Sequence, residues 1–543
     1  MPLKKRIMRK CFFPLIVIVT ALCAACRKDA DPSVVPPLLG WSSWNAYMVD
    51  ISDSIIVRQG ELMVSDGYLD AGYEYVNIDD GFMGFRDSGG NLTANPERFP
   101  EGMGPVVEKL HSMGLKAGIY SDAGHNTCGS TYNNDIMGTG AGLWQHEIQD
   151  IDLFFNRWKF DFIKIDWCGA NTLGLDEPSR YARIGELIDS VSTRPVHFNI
   201  CRWRYPGTWV SDVADSWRIS GDIRPRWDYI KYIVEQNMYL SAYAGNGKYN
   251  DMDMLAVGYN IKPSPFWEDG LGLSYAEEEA HFGMWCIMSS PLLLGCDLAY
   301  IPEETRALVL NPELLALNQD PLGLQAYVAA RSGEGYVFVK DIVKKRGNKR
   351  AVALYNPSDG PVHFVINPSD LEFKGAVKVR DLCRRIDYGT MDSPVFDVPA
   401  HNAVLLTFEG ERIAEPSVYE AEWAYCNDFT GIEGKGGPEY SRLPEASLGA
   451  AVTGLGGSVD NTLSWKEIYS RRGGRYHMTL SFLGDVSGEV FVSINDAGPV
   501  RIEVPSGPQD IAFVANLRRG YNTLTLSNPE GPVPAVDRLV LKK

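Results

Sequence analysis

A chain of 543 residues, 45% hydrophobic and 11% aromatic, is too long for a single core and apolar enough to build several globular domains. Its 69 acidic residues against 52 basic ones leave a net charge of −17, and no basic block is expected outside the first ten residues. Nucleic acid as a partner is thereby excluded, because phosphates demand Lys/Arg patches.

Lys4, Lys5, Arg6, Arg9 and Lys10 precede an apolar stretch over 11–25. That stretch is too short and wrongly flanked for a membrane-spanning helix. With Ala24-Ala25-Cys26 behind it, the segment 1–26 resembles a bacterial lipoprotein signal, Cys26 becoming the lipidated first residue, although Cys23 stands where leucine is usual. The expected place is exported, periplasmic or outer-membrane-attached through a lipid anchor; plain secretion is the alternative. Residues 27–37, with Asp31-Pro32 and Pro36-Pro37, read as a tether. Export permits disulfides. Ten cysteines less Cys11, Cys23 and Cys26 leave seven, too few for a disulfide scaffold. Cys128 and Cys168 each follow a candidate strand and could pair at a rim. No paired CxxC or HxxxH spacing points to zinc.

From 38 to 320 short apolar runs alternate with helix-like stretches. The strand candidates are Leu38–Trp44, Tyr73–Asp80, Leu115–Ser121, Phe160–Asp166, Val196–Cys201, Ser216–Ser220, a segment near Met252–Leu255, and Pro291–Asp297. Helices are predicted over Pro105–Met113, Gln149–Trp158 and Arg180–Val191, where apolar residues recur every three to four positions. Repeated βα spacing over this length reads as a (β/α)8 TIM barrel. A doubly wound open sheet is the alternative, but no glycine-rich phosphate loop follows the first strand. Residues 321–412 change to alternation without long helices, as in Tyr336-Val337-Phe338-Val339, and predict a small antiparallel β-sandwich. A linker with Glu415-Pro416 leads to 418–543, a second β-sandwich.

The strands end in reactive residues: Asp79 and Asp80, Tyr120, Lys164 and Asp166, Cys201, and Asp222 just past Ser220. A barrel gathers its active site at strand C-termini. Hydrolysis of a glycosidic bond needs two carboxyl groups, one to attack or direct water and one to protonate the leaving oxygen. Asp166 fits the first role; Lys164, two residues earlier, shares its face and would keep it ionised. Asp222 fits the second, with Gly221 letting the chain turn toward the mouth. Trp44, Tyr120, Trp167 and Trp203 offer flat faces for a pyranose. Strand-end aspartates also cap helices and tryptophans also fill cores, so spacing alone leaves these readings open.

The ordered stretches Gly40-Trp41-Ser42-Ser43-Trp44-Asn45, Asn77-Ile78-Asp79-Asp80, Gly114 to Gly124, Lys164-Ile165-Asp166-Trp167-Cys168, Trp217 to Ile223, Asn250 to Leu255, His281 to Trp285 and Leu317 to Gly323 together resemble glycoside hydrolase family 27, the α-galactosidase family. The resemblance implies a retaining enzyme with Asp166 as nucleophile and Asp222 as general acid/base, and no cofactor for catalysis. It implies that Asp79 and Asp80 hold the galactose 4- and 6-hydroxyls, Lys164 the 3- and 4-hydroxyls and Arg218 the 2-hydroxyl. Trp44 packs on the sugar, and Tyr120 and Asp253 line the pocket. Cys128 and Cys168 match a family disulfide. A second family disulfide has Val49 and Gly81 at its two positions here, so both halves are missing together.

Departures bear on the substrate. Cys201-Arg202-Trp203 stands where the family often has Cys-Glu-Trp, which places Arg202 among the residues that set sugar or aglycone choice and argues against an N-acetylgalactosaminidase. Phe82 replaces a tryptophan. Asp79 is kept, which favours galactose over a β-L-arabinopyranoside. The stretches Val418–Glu422 and Pro534–Leu539 resemble carbohydrate-binding modules of the family 6 and 35 type, which implies structural calcium held by Glu420, Glu422 and Asp537. The expected function is a retaining exo-α-galactosidase acting on an oligosaccharide or glycan. The alternatives are a family 27 β-L-arabinopyranosidase or α-glucan-acting member, or a non-catalytic surface glycan-binding lipoprotein.

Overall fold

The computed structural model describes residues 34–259, 272–432, 434–485, 487–495 and 497–543, so the leader and most of the tether lie outside the described residues. Eight short strands form the first sheet: β1 (Leu39–Ser42), β2 (Tyr75–Asn77), β3 (Lys116–Asp122), β4 (Phe162–Asp166), β5 (His197–Ile200), β6 (Ser216–Arg218), β7 (Tyr249–Asp251) and β8 (Leu292–Leu294). All pair in parallel, in the order β7-β6-β5-β4-β3-β2-β1-β8. Leu255, just past β7, bridges to Leu294 of β8 and closes the ring. The structure is therefore the expected (β/α)8 barrel.

The strands are buried on both faces, which is why they read as apolar runs rather than alternating ones. The helices begin at side-chain caps. Ser52 caps Asp53–Ser65, Asp176 caps Glu177–Val191, and Ser274 forms a reciprocal capping box with Glu277 at the head of Tyr275–Ile287. Among the described residues no helix is long and apolar enough to cross a membrane.

Three local expectations are corrected. The seventh strand lies at Tyr249–Asp251, not at Met252–Leu255, because Asp253 takes a φ of 76° and leaves the extended region. The helix expected over Gln149–Trp158 is a short α-helix, Glu147–Ile151, that widens into a π turn at Asp152–Arg157; the wider turn carries Leu153, Phe154 and Phe155 inward together. Residues 34–37, assigned to the tether, lie against the barrel: Tyr249 Oη donates to the Val35 carbonyl at 2.7 Å and Gln319 Nε2 to the Pro37 carbonyl at 2.7 Å.

After the barrel come β9 (Tyr327–Ser332), β10 (Gly335–Asp341), β11 (Lys349–Asn356), β12 (Val362–Val365), β13 (Val377–Asp381), β14 (Ile386–Met391), β15 (Val395–Val398) and β16 (Asn402–Glu409). Six of them make an antiparallel sheet in the order β14-β13-β16-β11-β10-β9, with β12 and β15 as a separate ladder. One face of this sheet packs on the helix Tyr275–Ile287 so closely that a Cβ at Gly283 would sit 2.4 Å from Leu405 Cδ2. The tail, from Val418 to Lys542, folds into two further antiparallel sheets, the first with the strands Gly474–Leu483 and Ala535–Lys542, the second with Leu463–Ser470 and Gly520–Ser527. It docks on the barrel through stacked rings: Tyr205 and Tyr243 on the barrel meet Phe429 at 5.3 and 5.2 Å between centroids.

Candidate active site

Parallel strands point all their C-terminal ends one way. Asp79 and Asp80 after β2, Tyr120 and Asp122 on β3, Lys164 and Asp166 on β4, Cys201 after β5, Arg218 on β6 and Asp253 after β7 therefore assemble at one mouth.

Asp166 is 4% exposed, and its Oδ1 is buried with no hydrogen-bond partner among the described residues. Its Oδ2 lies 3.9 Å from Lys164 Nζ and 3.3 Å from Cys128 Sγ. Burial pushes its pKa up and the Lys164 charge opposes that shift. Lys164 sits closer to Asp79, at 3.0 Å from Oδ2. One ammonium therefore serves two carboxylates, and burial prevails over it at Asp166.

Asp222 differs from Asp166 in environment: its side chain is 49% exposed and its Oδ1 accepts from Arg218 Nη2 at 3.0 Å. The same Nη2 is 2.8 Å from Asp253 Oδ2, and Arg218 Nη1 faces Cys201 Sγ at 3.7 Å. Asp253 also accepts from the Ile223 amide at 2.8 Å, which pins the β6 loop carrying Asp222. Asp222 is close enough to Asp166 to raise the pKa of the latter by charge repulsion. The two acids thus share the mouth, one buried and one open. Gly221 lies outside the left-handed region and has open space where a Cβ would stand, so the turn there does not require glycine.

Asp79 accepts from Lys164 and from the Asp80 amide at 2.9 Å. Asp80 is fully buried, with Oδ1 and Oδ2 bound to the amides of Gly81 and Gly129 at 2.8 and 2.6 Å, and burial pushes its pKa to about 7. It fastens the loop after β3 to the loop after β2. The same loop is tied by the Cys128–Cys168 disulfide and by the Cys128 amide, which donates to Tyr120 Oη at 3.2 Å. A Cβ at Gly81 would meet the Val49 backbone at 2.6 Å. Where the family's second disulfide is missing, the two segments are thus held in direct contact. Trp44 is half-buried against an interior cluster of Leu38, Phe162, Met254 and Leu293. A cavity of about 20 Å³ is lined by Asp79, Tyr120, Lys164, Arg218 and Asp253, all anticipated, and by Asn199 and Asp251, which were not; Asp80, Asp166 and Asp222, also anticipated, do not line it.

Arg202 is not in that network. Its Nε donates to Glu177 Oε2 at 2.8 Å, and its guanidinium lies 5.7 Å from the Trp167 ring and 5.8 Å from the Trp203 ring. Arg204 binds the same Glu177 oxygen at 2.7 Å. The structure places Arg202 beside the aromatic residue that follows the nucleophile candidate, held there by an acid.

The comparisons agree with this geometry. Residues 36–320 match the family model described as alpha galactosidase A. The chain belongs to glycoside hydrolase family 27. A relative, alpha-galactosidase A of Cellvibrio japonicus, is 33% identical over 427 residues, 74% of this chain and 99% of that protein. A Dictyostelium discoideum protein called probable alpha-galactosidase is 33% identical over 380 residues, 68% of this chain and 92% of its own length. The crystal structure of alpha-galactosidase I from Mortierella vinacea superposes with a TM-score of 0.61 at 29% identity, covering 69% of this chain and 98% of that one.

Sequence reasoning missed several residues of this family 27 site. Asn199 Nδ2 donates to Asp251 Oδ2 at 2.9 Å, and Asp251 Oδ1 accepts from the Asp253 amide at 2.9 Å. Asp251 was visible two residues before Asp253 in a matching stretch, without a role. Asp122 accepts from the amides of Gly124 and Gly169 at 2.7 and 3.1 Å and has its pKa pushed up to about 8 by burial. It clusters with Cys128 and Cys168, but their sulfurs are bonded to each other and offer no thiolate to a metal. Glu177 carried no signal: in sequence it is one acid at a helix start.

Proposed function

We propose that this chain is a retaining exo-α-galactosidase that removes terminal α-D-galactosyl residues from oligosaccharides or glycans. Family membership and relatives named α-galactosidase support the activity. The observation that carries the mechanism is the contrast between the two acids: a buried Asp166 with a free Oδ1, and an exposed Asp222 within its field. Asp166 Oδ1 attacks the anomeric carbon while the glycosidic C–O bond breaks and Asp222 gives its proton to the leaving oxygen. Asp222 then takes a proton from water, whose oxygen attacks the same carbon. The bond to Asp166 breaks and α-galactose leaves. Asp79, Lys164 and Arg218 hold the sugar hydroxyls, with Trp44 and Tyr120 as its walls; Asp80, fully buried on the Gly81 and Gly129 amides, fastens the loops around them instead of reaching a hydroxyl. Arg202, anchored by Glu177, acts at the rim on the aglycone side.

The retained Asp79 favours galactose over a pentopyranose. Proton NMR of the first-formed product from an aryl α-galactoside should show the α-anomer; appearance of the β-anomer first refutes retention. Asp166→Asn should lower kcat by about 10³-fold or more, since it removes the nucleophile; near-normal turnover excludes the role.

For the tail, the two facing antiparallel sheets support a carbohydrate-binding-module-like domain with a structural calcium. Glu420 Oε2 accepts from Ser447 Oγ at 2.5 Å and Asp537 Oδ1 from the Ser447 amide at 2.8 Å. Both oxygens of Glu422, 1% exposed, are buried without a hydrogen bond among the described residues. Burial first, and Glu420 second, hold the Glu422 pKa well above the usual carboxylate range. A buried carboxylate in that state fits a hard cation. Among the described residues the carboxylate oxygens of Glu420, Glu422 and Asp537 do not form a ready-made ligand cluster, so a cation would have to draw the three together, and when bound it would supply the compensating charge. Export as a lipoprotein through Cys26 completes the reading.

A further inference from the structure

Contrary to the expectation of no basic block beyond the first ten residues, Lys344-Lys345-Arg346 with Lys349-Arg350 form one in and after the turn from β10 to β11. It borders a cavity of about 440 Å³ where the barrel, the sheet β9–β16 and the tail meet. The barrel contributes residues 241–246, which precede β7, so the cavity lies at the opposite end of the barrel from Asp166 and Asp222.

The charges here do not cancel. Arg346, Arg350 and Arg412 share two carboxylates, Asp341 and Glu372, at 2.6 to 3.7 Å. Lys345 pairs with Glu467. Lys466 has its ammonium over the Tyr425 ring, 3.3 Å from the centroid, and pairs with no carboxylate among the described residues. Lys340 also lines the cavity, with its ammonium turned to Ser289 Oγ and the Leu317 carbonyl, so six cations face three acids, and one guanidinium and two ammoniums are left in excess on a chain whose net charge is −17. Arg412, 8% exposed at its side chain, also buries an Nε–H with no hydrogen-bond acceptor. A buried donor without an acceptor is costly, and a cation so placed favours an anion.

Part of the remaining lining is aromatic, beside small, polar and aliphatic residues such as Ser241, Asn246, Leu324 and Ser464. Tyr327 and Trp423 stand 4.6 Å apart between ring centroids, and Tyr425 and Tyr521 carry Lys466 and Lys345 over their faces. Rings present flat apolar faces to a pyranose, and a cavity of this volume holds one or two sugar rings.

We propose that this junction is a second carbohydrate site, separate from the catalytic mouth, for a sugar carrying an anionic group, carboxylate or sulfate. The Tyr327–Trp423 pair takes the ring, since Lys466 and Lys345 already cover Tyr425 and Tyr521, and the excess cations take the charge. Such a site would bind an acidic region of a glycan whose neutral galactosyl ends are presented to the mouth of the barrel.

The test is isothermal titration calorimetry on the full chain with its catalytic site saturated by galactose. Digalacturonic acid and a sulfated galactose are the two probes, and a β-linked galactobiose is the neutral control. At least one acidic probe is expected to bind, about tenfold or more tighter than the control, and Lys466→Gln is expected to weaken it about tenfold, as loss of one charge-assisted contact requires. Release of nitrophenol from an aryl α-galactoside by Lys466→Gln should match the parent, which shows that the variant folds. If neither acidic probe binds, if the neutral control binds as tightly, or if Lys466→Gln binds like the parent, the proposal is overturned.

Discussion

Replacing Lys164 by methionine removes a charge and keeps most of the volume. Lys164 Nζ lies 3.9 Å from Asp166 Oδ2, and both side chains are largely buried, at 19% and 6% exposure. With an effective dielectric constant of about 20, a pair at that distance interacts by about 4 kcal/mol; with that of water, by about 1 kcal/mol. These bounds set how strongly the ammonium favours the ionised form of Asp166. Asp79 competes for the same ammonium at 3.0 Å, so the effect should fall between them. The sign follows from the charge. The lysine favours the carboxylate, so without it Asp166, already raised by burial, titrates higher still. A nucleophile must be ionised, so the acid limb of kcat/KM, which reports the free enzyme, should move to higher pH. A pH series on an aryl α-galactoside reads the limb, with the melting temperature of the variant as a control for folding. An acid limb that stays in place, or moves to lower pH, refutes the view that Lys164 sets the protonation of Asp166.

Asp222→Asn removes the proton donor and should cost about 10²- to 10⁴-fold in kcat on an oligosaccharide, with a smaller loss on an aryl galactoside whose leaving group needs no proton; equal losses on both would contradict an acid role. The Cys128–Cys168 bond closes a loop of 40 residues, so the double Ser variant should lose about 4 kcal/mol by loop-closure entropy, read as a lower urea midpoint. Its activity should also fall, because the same loop holds Tyr120 and Asp80. Chelation by EDTA should lower the melting temperature of the full chain and leave kcat unchanged, and calcium should restore it. The calcium effect should fade as pH falls, because protons compete for Glu420, raised to about 7, and for Glu422, raised further. A melting temperature indifferent to EDTA at neutral pH would rule the cation out.

The barrel was legible because buried parallel strands must be apolar runs that end in the polar residues of the mouth, and Phe162–Asp166 has that pattern. The same pattern placed Asp166 at the end of its strand, whereas Asp222 lies in the loop beyond β6. Strand bounds were less so. The seventh strand was displaced because a left-handed residue, Asp253, interrupts a stretch that composition alone reads as extended. The tether was read too long because its last residues look polar and proline-rich, while their carbonyls are bound by Tyr249 and Gln319 from far along the chain.

By itself the sequence determined which side chains stand at strand ends and on which face, because the period of a strand fixes that from two neighbouring positions. It could not determine their partners. Lys164 prefers Asp79, 85 residues away, to Asp166 on its own strand, and Arg202 is turned aside by Glu177. Nor could it bring Arg346, Arg412 and Lys466 around one cavity from three separate segments. Such pairings depend on where closed sheets place distant segments in space, and electrostatic energy depends on that separation and on burial, not on distance along the chain.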